Sequence, residues 1–137
     1  MQRTLGVMQK AIVALLAVLG AVSCGNRTDA VHAGALYSVK SSDQYFQVAK
    51  VLATDKLGVH IRLYRNQFSA RPTRVDFATL QLGNIHDQGP LGIGHIPLTH
   101  RAFANWQPVF ISDSPVLDNE LDGYREWASA NGGYFGS

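Results

Sequence analysis

The alternation of apolar and polar residues is most regular between Tyr45 and Tyr64. Residues 45–53 are rich in β-branched and aromatic side chains, which favour extended strands. Residues 54–58 (TDKLG) have the composition of a turn, and the alternation then resumes over residues 59–64 (VHIRLY). This pattern predicts a β-hairpin.

The second arm of this hairpin carries two different sets of side chains, because successive residues of a strand point to opposite faces. Positions 59, 61 and 63 are apolar and are expected to face a core. His60, Arg62 and Tyr64 fall on the other face, and we expect them to be displayed to solvent. They are candidate contacts for an anionic or planar ligand or for a partner. An ordinary solvated sheet face has the same pattern.

Several further segments alternate over shorter stretches. The strand candidates are residues 37–39, 75–82, 93–98 and 109–111, with a glycine-rich loop at 83–94 and a helical turn at 100–106. Short strands at close intervals predict an α+β fold, in which a small antiparallel β-barrel or sandwich carries a C-terminal helix packed on it. An SH3-like barrel is one architecture of this kind.

The last segment has the start and stop signals of that helix. Ser114 suits the N-cap position, Pro115 suits the first helical position, and Gly132 with Gly133 ends the pattern. The apolar residues at helical spacing are Leu117, Leu121, Tyr124, Trp127 and Ala128. Two roles stay open for Tyr124 and Trp127, because core aromatics and a partner-binding patch need the same residues.

A separate apolar run lies near the start of the chain. Residues 11–21 (AIVALLAVLGA) follow the basic residues Arg3 and Lys10 and precede Ser23 and Cys24. A membrane-spanning helix needs about 20 apolar residues, and this run is roughly half as long. A basic start, a short apolar stretch and a small-residue cleavage site are instead typical of an export signal.

This segment resembles the signal peptide of bacterial lipoproteins, because a cysteine directly follows the small-residue site Ala21-Val22-Ser23. The resemblance implies cleavage before Cys24, a diacylglycerol on the Cys24 thiol and a lipid anchor on the periplasmic side of the envelope. Gly25 at the next position implies transport to the outer membrane. Ordinary secretion through the same cleavage site and an unprocessed membrane anchor are the alternatives.

The predicted organisation is a signal peptide at residues 1–23, a flexible tether at 24–34 and one β-rich domain at 35–137. Cys24 is the only cysteine, so stability is expected to come from packing without an internal disulfide. Removing the signal discards two of the twelve basic residues and leaves ten basic and ten acidic ones. Because this balance gives no excess positive charge, a nucleic-acid partner is not expected.

The candidate chemistry lies in the glycine-rich region. His86, Asp87 and His95 have side chains that ligate metals or act as a base with its orienting carboxylate. Their spacing matches no compact zinc pattern. The stretch GPLGIG lacks the ending of a phosphate loop, and no Gly-x-Ser-x-Gly motif of a serine hydrolase is present.

The sequence therefore predicts a non-enzymatic envelope lipoprotein that binds another protein or an envelope component in the periplasm, with no cofactor. An immunity-type or inhibitor lipoprotein, which neutralises an exported toxin or enzyme, belongs to this class because it needs only a surface. The alternative is a small metal-dependent hydrolase that uses His86, Asp87 and His95.

Overall fold

Within residues 30–136, which the computed structural model describes, the chain is organised by one five-stranded antiparallel sheet. The strands are β1 (Ala35–Lys40), β2 (Phe46–Thr54), β3 (Gly58–Leu63), β4 (Ile93–Thr99) and β5 (Val109–Asp113). The α-helices are α1 (His100–Asn105) and α2 (Asp122–Ser129), and short 3-10 helices span Phe77–Thr79 and Asp118–Leu121.

β2 and β3 form the hairpin that the alternation predicts, and this prediction is confirmed. In its turn, the Asp55 carboxylate accepts hydrogen bonds from the backbone N–H groups of Leu57 and Gly58 at 2.7 and 3.0 Å. Gly58 then approaches β4 so closely that a Cβ there would lie 2.1 Å from the Leu98 carbonyl oxygen. The turn therefore needs both an Asx-type side chain and a glycine.

The sheet is open, with the strand order β4-β3-β2-β1-β5. β4 and β5 are its edges, and three strands separate them. The outer edge of β4 bridges from Leu98 to Phe135, near the end of the chain. The α+β class is confirmed, whereas a closed β-barrel is wrong. Helices and loops cover the two faces of this sheet, so its apolar side chains are buried without closure.

One face of the sheet carries the larger apolar core. α1 covers this face, and the ring of Phe103 packs edge-on against Tyr37 with centroids 5.5 Å apart. α1 begins directly after β4, where the Thr99 hydroxyl accepts the Ala102 N–H, and it confirms the predicted helical turn. The buried residues of this core are Ala35, Tyr37, Val39, Ala49, Val51, Val59, Ile61, Leu98 and Phe103.

The opposite face, called the second face below, lies under the β3–β4 connection and the C-terminal segment. Leu36, Val48 and Tyr64 are buried there, with Phe77 packed against them. Because the sheet is covered on both faces, the six consecutive β2 residues 47–52 are all buried, rather than every other one.

Residues 75–82 do not form the predicted strand. They contain a 3-10 helix, in which the Asp76 carboxylate accepts the Ala78 N–H at 3.0 Å. This local hydrogen bond satisfies a backbone group that a strand would offer to its neighbour. The alternating apolar residues still pack against the second face, and they are Val75, Phe77, Leu80 and Leu82. The alternation therefore reports burial here, not strand pairing.

The C-terminal helix is shorter than the segment predicted for it. Leu117 has extended backbone angles, a 3-10 helix follows, and α2 begins only at Asp122 and ends at Ser129. The Pro115 carbonyl, which a longer helix would have used internally, accepts a hydrogen bond from Lys50 Nζ at 2.7 Å. A contact with the sheet thus replaces the predicted first turns.

The packed part of the chain begins before the predicted domain boundary at residue 35. Val31 packs against the first core, and the Gly34 N–H donates to the Val51 carbonyl at 2.8 Å. Val31 and Gly34, near the end of the predicted tether, thus contact the sheet. The predicted signal peptide and Cys24 lie outside the described residues. Across residues 30–136, none of the helices has the length and apolar character needed to span a membrane.

Gly58→Ala is expected to destabilise the domain, because the added methyl group meets the Leu98 carbonyl and the Tyr134 ring. We expect the free energy of unfolding to fall by about 1 to 3 kcal/mol. Gly133→Ala is the matched control, since nothing lies within 4 Å of a Cβ at that position. Urea unfolding followed by circular dichroism measures both variants, and equal stabilities would contradict the close approach at Gly58.

Candidate functional site

The predicted stripe of His60, Arg62 and Tyr64 lies on the second face of the sheet. His60 is 1% exposed, Tyr64 is 4% exposed and the Arg62 side chain is largely buried. The prediction that these side chains are displayed is wrong, because the β3–β4 connection and the C-terminal segment lie over them. The three side chains belong to two different sites. Arg62 and Tyr64 line a groove, whereas His60 lies in a cluster of side chains under α2.

Lys50 is fully buried in the middle of β2. On the second face it stands between Leu36 of β1 and Arg62 of β3, its register partners. Its ammonium group donates to the Glu120 carboxylate at 2.8 Å and to the Pro115 carbonyl at 2.7 Å. An ammonium group removed from water needs such partners. Lys50 thereby fixes the segment before α2 on the sheet.

Glu120 supplies the negative charge for both cations of the second face. Its Oε1 accepts hydrogen bonds from Lys50 Nζ and from the Leu117 N–H, each at 2.8 Å. Its Oε2 lies 3.9 Å from Nη1 of Arg62. Lys50 and Arg62 are direct cross-strand neighbours, and like charges in such a pair repel each other. The carboxylate offsets this repulsion and leaves the trio with one net positive charge.

An open groove of about 500 Å³ lies beside this ion pair. It runs between the β3–β4 connection and the 3-10 helix that precedes α2. Its polar wall consists of Arg62, Tyr64 and Glu120. Its apolar wall and its rim are formed by Phe77, Leu80, Leu82 and Leu117, with the amide side chains of Gln81 and Asn119 alongside.

Three polar atoms of this wall are buried and have no hydrogen-bond partner among the described residues: Arg62 Nε, Tyr64 Oη and Glu120 Oε2. Burial raises the pKa of Tyr64, and the nearby Glu120 carboxylate raises it further, although the two groups do not reach hydrogen-bond geometry. The phenol therefore keeps its proton at neutral pH. Because each of the three atoms has almost no accessible surface, they lie beneath the wall of the groove and are not presented to an incoming group.

A second polar cluster joins the sheet to the end of the chain. His60 Nδ1 lies 2.9 Å from His95 Nε2 of β4, and His60 Nε2 lies 2.9 Å from the Tyr134 hydroxyl. The Tyr134 hydroxyl in turn donates to the Asp55 carboxylate in the β2–β3 turn. The four side chains form one hydrogen-bonded chain.

The ionised end of this chain sets the position of every proton in it. The hydrogen bond from Tyr134 lowers the pKa of Asp55, so the carboxylate is an acceptor and the phenol proton points to it. Tyr134 Oη then accepts from His60 Nε2–H, which leaves His60 Nδ1 to accept from His95 Nε2–H. His60 must be neutral in this arrangement, because its Nδ1 accepts a hydrogen bond. Burial, and next the neighbouring His95, lowers the pKa of His60 to about 4, and burial also lowers the pKa of His95.

Tyr124 and Trp127 of α2 pack over these histidines. Their ring centroids lie 4.7 and 4.4 Å from that of His60. Gly123 permits this approach, since a Cβ there would lie 2.7 Å from the His95 Cβ. The sequence left two roles open for Tyr124 and Trp127, core packing and partner binding. Their contacts favour packing against the sheet, and both side chains are half-buried.

The predicted metal ligands His86, Asp87 and His95 are not assembled into a site. Asp87 accepts a hydrogen bond from Arg65 Nη1 at 2.6 Å in the β3–β4 connection, whereas His95 is bonded to His60 under α2. Across residues 30–136, no group of three or more His, Cys, Asp or Glu side chains is placed to hold a metal ion. Asp87 and His95 therefore belong to two different hydrogen-bonded groups.

Three residues of these clusters, Lys50, Glu120 and Tyr134, were not among the predicted site residues, and they differ in how well the sequence signals them. Lys50 is the only charged residue in the apolar stretch 48–53, which indicates a buried cation within a strand. The role of Glu120 as a buried counter-ion could not be recognised, because an acidic residue is also expected in the first turn of the longer helix predicted from Pro115. No local signal identifies Tyr134, which reaches His60 from near the end of the chain.

Comparison with protein family models, with curated proteins and with solved structures found no match to this chain. The inference about its function therefore rests on the groove and on the side chains around it.

Glu120→Ala is expected to lower the free energy of unfolding by about 3 to 5 kcal/mol, because it leaves the Lys50 charge buried and unpaired. Glu126→Ala removes an exposed carboxylate from α2 and should change stability by less than about 0.5 kcal/mol. Chemical unfolding measures both variants.

The double variant Lys50→Met with Glu120→Leu removes both charges and keeps apolar side chains in their place. It should recover much of the free energy of unfolding that Glu120→Ala loses, since apolar replacements of a buried ion pair are often neutral. A Glu120→Ala variant as stable as the Glu126→Ala variant would contradict the structural role of the ion pair.

The free energy of unfolding is expected to fall as the pH falls from about 6.5 towards 4. The folded-state pKa of His60 is about 4, below its ordinary value of 6.5, so the unfolded chain binds protons first in this window. Protonated imidazoles would also place two donors against each other between His60 and His95. The depressed pKa of Asp55 extends the loss to lower pH, in the same direction.

Thermal unfolding measured between pH 7.5 and 4 tests this dependence. His86→Asn, which alters an exposed histidine outside the cluster, should keep the full pH dependence. His95→Gln should reduce it. A melting temperature that stays constant from pH 7 to 4.5 would contradict the neutral hydrogen-bonded chain.

Proposed function

We propose that this protein is a lipoprotein of the bacterial envelope, anchored through Cys24, whose domain is a non-enzymatic binding module. Its partner is an exported protein or an envelope component on the periplasmic side of the outer membrane. The partner binds at the groove beside the Lys50–Glu120 ion pair. The observation that carries this proposal is the groove itself, which is open, has a volume of about 500 Å³ and places Arg62, Tyr64 and Glu120 opposite an apolar wall.

A lipid on Cys24 would hold the groove close to the membrane surface. Among the described residues, Val31 is already packed against the first core, and it lies seven residues further along the chain than Cys24. Seven residues span at most about 25 Å even when fully extended. A partner of this domain is therefore itself expected at or near the membrane.

The charged groups near the groove are held by other groups of the protein, which supports binding rather than catalysis. The Lys50 ammonium group is held by Glu120 and by a backbone carbonyl, so it does not serve as a nucleophile. The histidine pair lies under Tyr124 and Trp127 rather than in the groove. What the groove offers a ligand is hydrogen bonding and apolar contact.

Metabolic labelling with palmitate tests the anchor. The natural chain is expected to be labelled and to fractionate with the outer membrane, whereas Cys24→Ala should lose both properties. His86→Ala, an exposed substitution outside the groove, is the control and should keep both. An exported but unlabelled, soluble natural chain would contradict the lipoprotein assignment.

Photocrosslinking in intact cells tests the groove. A photoreactive amino acid at Asn119, on the groove rim, is expected to give a discrete adduct, because the partner seats beside it. The same probe at Lys56, exposed in the β2–β3 turn, should give none. Equal adducts from the two positions, or an adduct from Lys56 alone, would place the partner elsewhere.

A further inference from the structure

We propose that a pocket on the face of the first core binds a small, flat aromatic molecule that carries one hydrogen-bond donor. The pocket has a volume of about 220 Å³ and lies where α1 ends. It goes beyond the proposed function, because it is on the opposite face of the sheet from the groove. Six residues line it: Val39, Lys40, Ser41, Gln47, Leu63 and Trp106.

Gln47 gives the pocket a fixed acceptor. The residue is 6% exposed and shares the face of Val39, its cross-strand partner. Its Nε2 donates to the Tyr64 carbonyl at 2.8 Å, which fixes the orientation of the amide. The other amide atom, Oε1, accepts no hydrogen bond from the described residues and, unlike the atoms beneath the groove, is not sealed from solvent. A ligand in this pocket is therefore expected to donate to Oε1.

The apolar lining favours a flat ring. Trp106 packs partly against the first core, and its carbonyl accepts the Lys40 N–H at 2.8 Å, so the residue is tied to the end of β1. Val39 is buried and Leu63 is half-buried in the same lining. Aromatic rings pair with one another in offset or edge-to-face contacts, which an aliphatic ligand cannot make with Trp106.

The size and polarity of the pocket disfavour other classes of ligand. A cavity of about 150 Å³ holds a benzene molecule, so about 220 Å³ suits a slightly larger ring system. A sugar brings several hydroxyl groups that need partners, whereas Gln47 is the one buried polar residue of the lining. A cation is disfavoured because Lys40 is the one charged residue among the six.

The test compares two ligands of the same shape. Indole has one N–H donor on an apolar ring system, and benzofuran has an oxygen in place of that N–H. The ¹⁵N-labelled full chain in mild detergent is titrated with each and followed by NMR, with free ligand concentrations fixed by equilibrium dialysis. Indole should give saturable shift changes at the amides of residues 39–41, 47 and 63 and at the ring N–H of Trp106. Benzofuran should bind about three- to tenfold more weakly, as expected for one hydrogen bond.

Two variants separate the acceptor from the ring. Gln47→Met removes the acceptor and should bring indole and benzofuran to equal affinity. Trp106→Leu removes the aromatic wall and should weaken indole binding about two- to tenfold. Phe135→Leu is the control, because it alters an exposed aromatic residue outside the pocket and should leave both affinities unchanged. The comparison of the two ligands on the natural chain decides the proposal even where a variant does not fold.

Three outcomes would overturn the proposal. They are the absence of saturable shifts with indole, equal affinities of the natural chain for indole and benzofuran, and tighter binding of the acetylated, amidated tripeptide Ala-Trp-Ala than of indole. The last result would assign the pocket to a side chain of a partner protein instead of a free molecule. The proposed function has a separate readout, because palmitate labelling and the Asn119 adduct do not involve this face of the sheet.

Discussion

The ion pair between Lys50 and Glu120 is the interaction on which the second face of the sheet depends. A lysine in the middle of a doubly covered strand has no access to water, so it requires an anion from another part of the chain. Glu120 meets that requirement from seventy residues away, and the Pro115 carbonyl joins it. The segment before α2 consequently runs along the sheet instead of forming the first turns of a longer helix.

The remaining features of the second face follow from this placement. α2 begins next to Glu120, and its aromatic residues come to lie over His60 and His95. The hydrogen-bonded chain to Asp55 then ties the end of the chain to the β2–β3 turn. The groove is the space that stays open between these two attachments and the β3–β4 connection. Glu120 binds Lys50 through one carboxylate oxygen, and its other oxygen lies beside Arg62 in the wall of the groove.

Local patterns could predict the elements that depend on neighbouring residues, and these include the β2–β3 hairpin and α1 after Thr99. They could not predict which faces are covered, because coverage depends on residues far apart in the chain. Arg62 therefore seemed displayed, although it lines a buried wall. Residues 75–82 alternate like a strand, but a 3-10 helix follows the extended residue Asp76. Of the predicted contact residues, Arg62 and Tyr64 do line the groove. The role of Glu120 could be recognised only from the tertiary structure.

Native-state hydrogen exchange of the natural chain and of Glu120→Gln tests the central role of the ion pair most directly. If the pair fastens the C-terminal segment to the sheet, the amides of α2 should lose far more protection than those of β2 and β3. Opening of that segment would let water reach Lys50 while the sheet stays paired. Equal loss of protection in α2 and in the sheet, or unchanged protection in α2, would contradict the account.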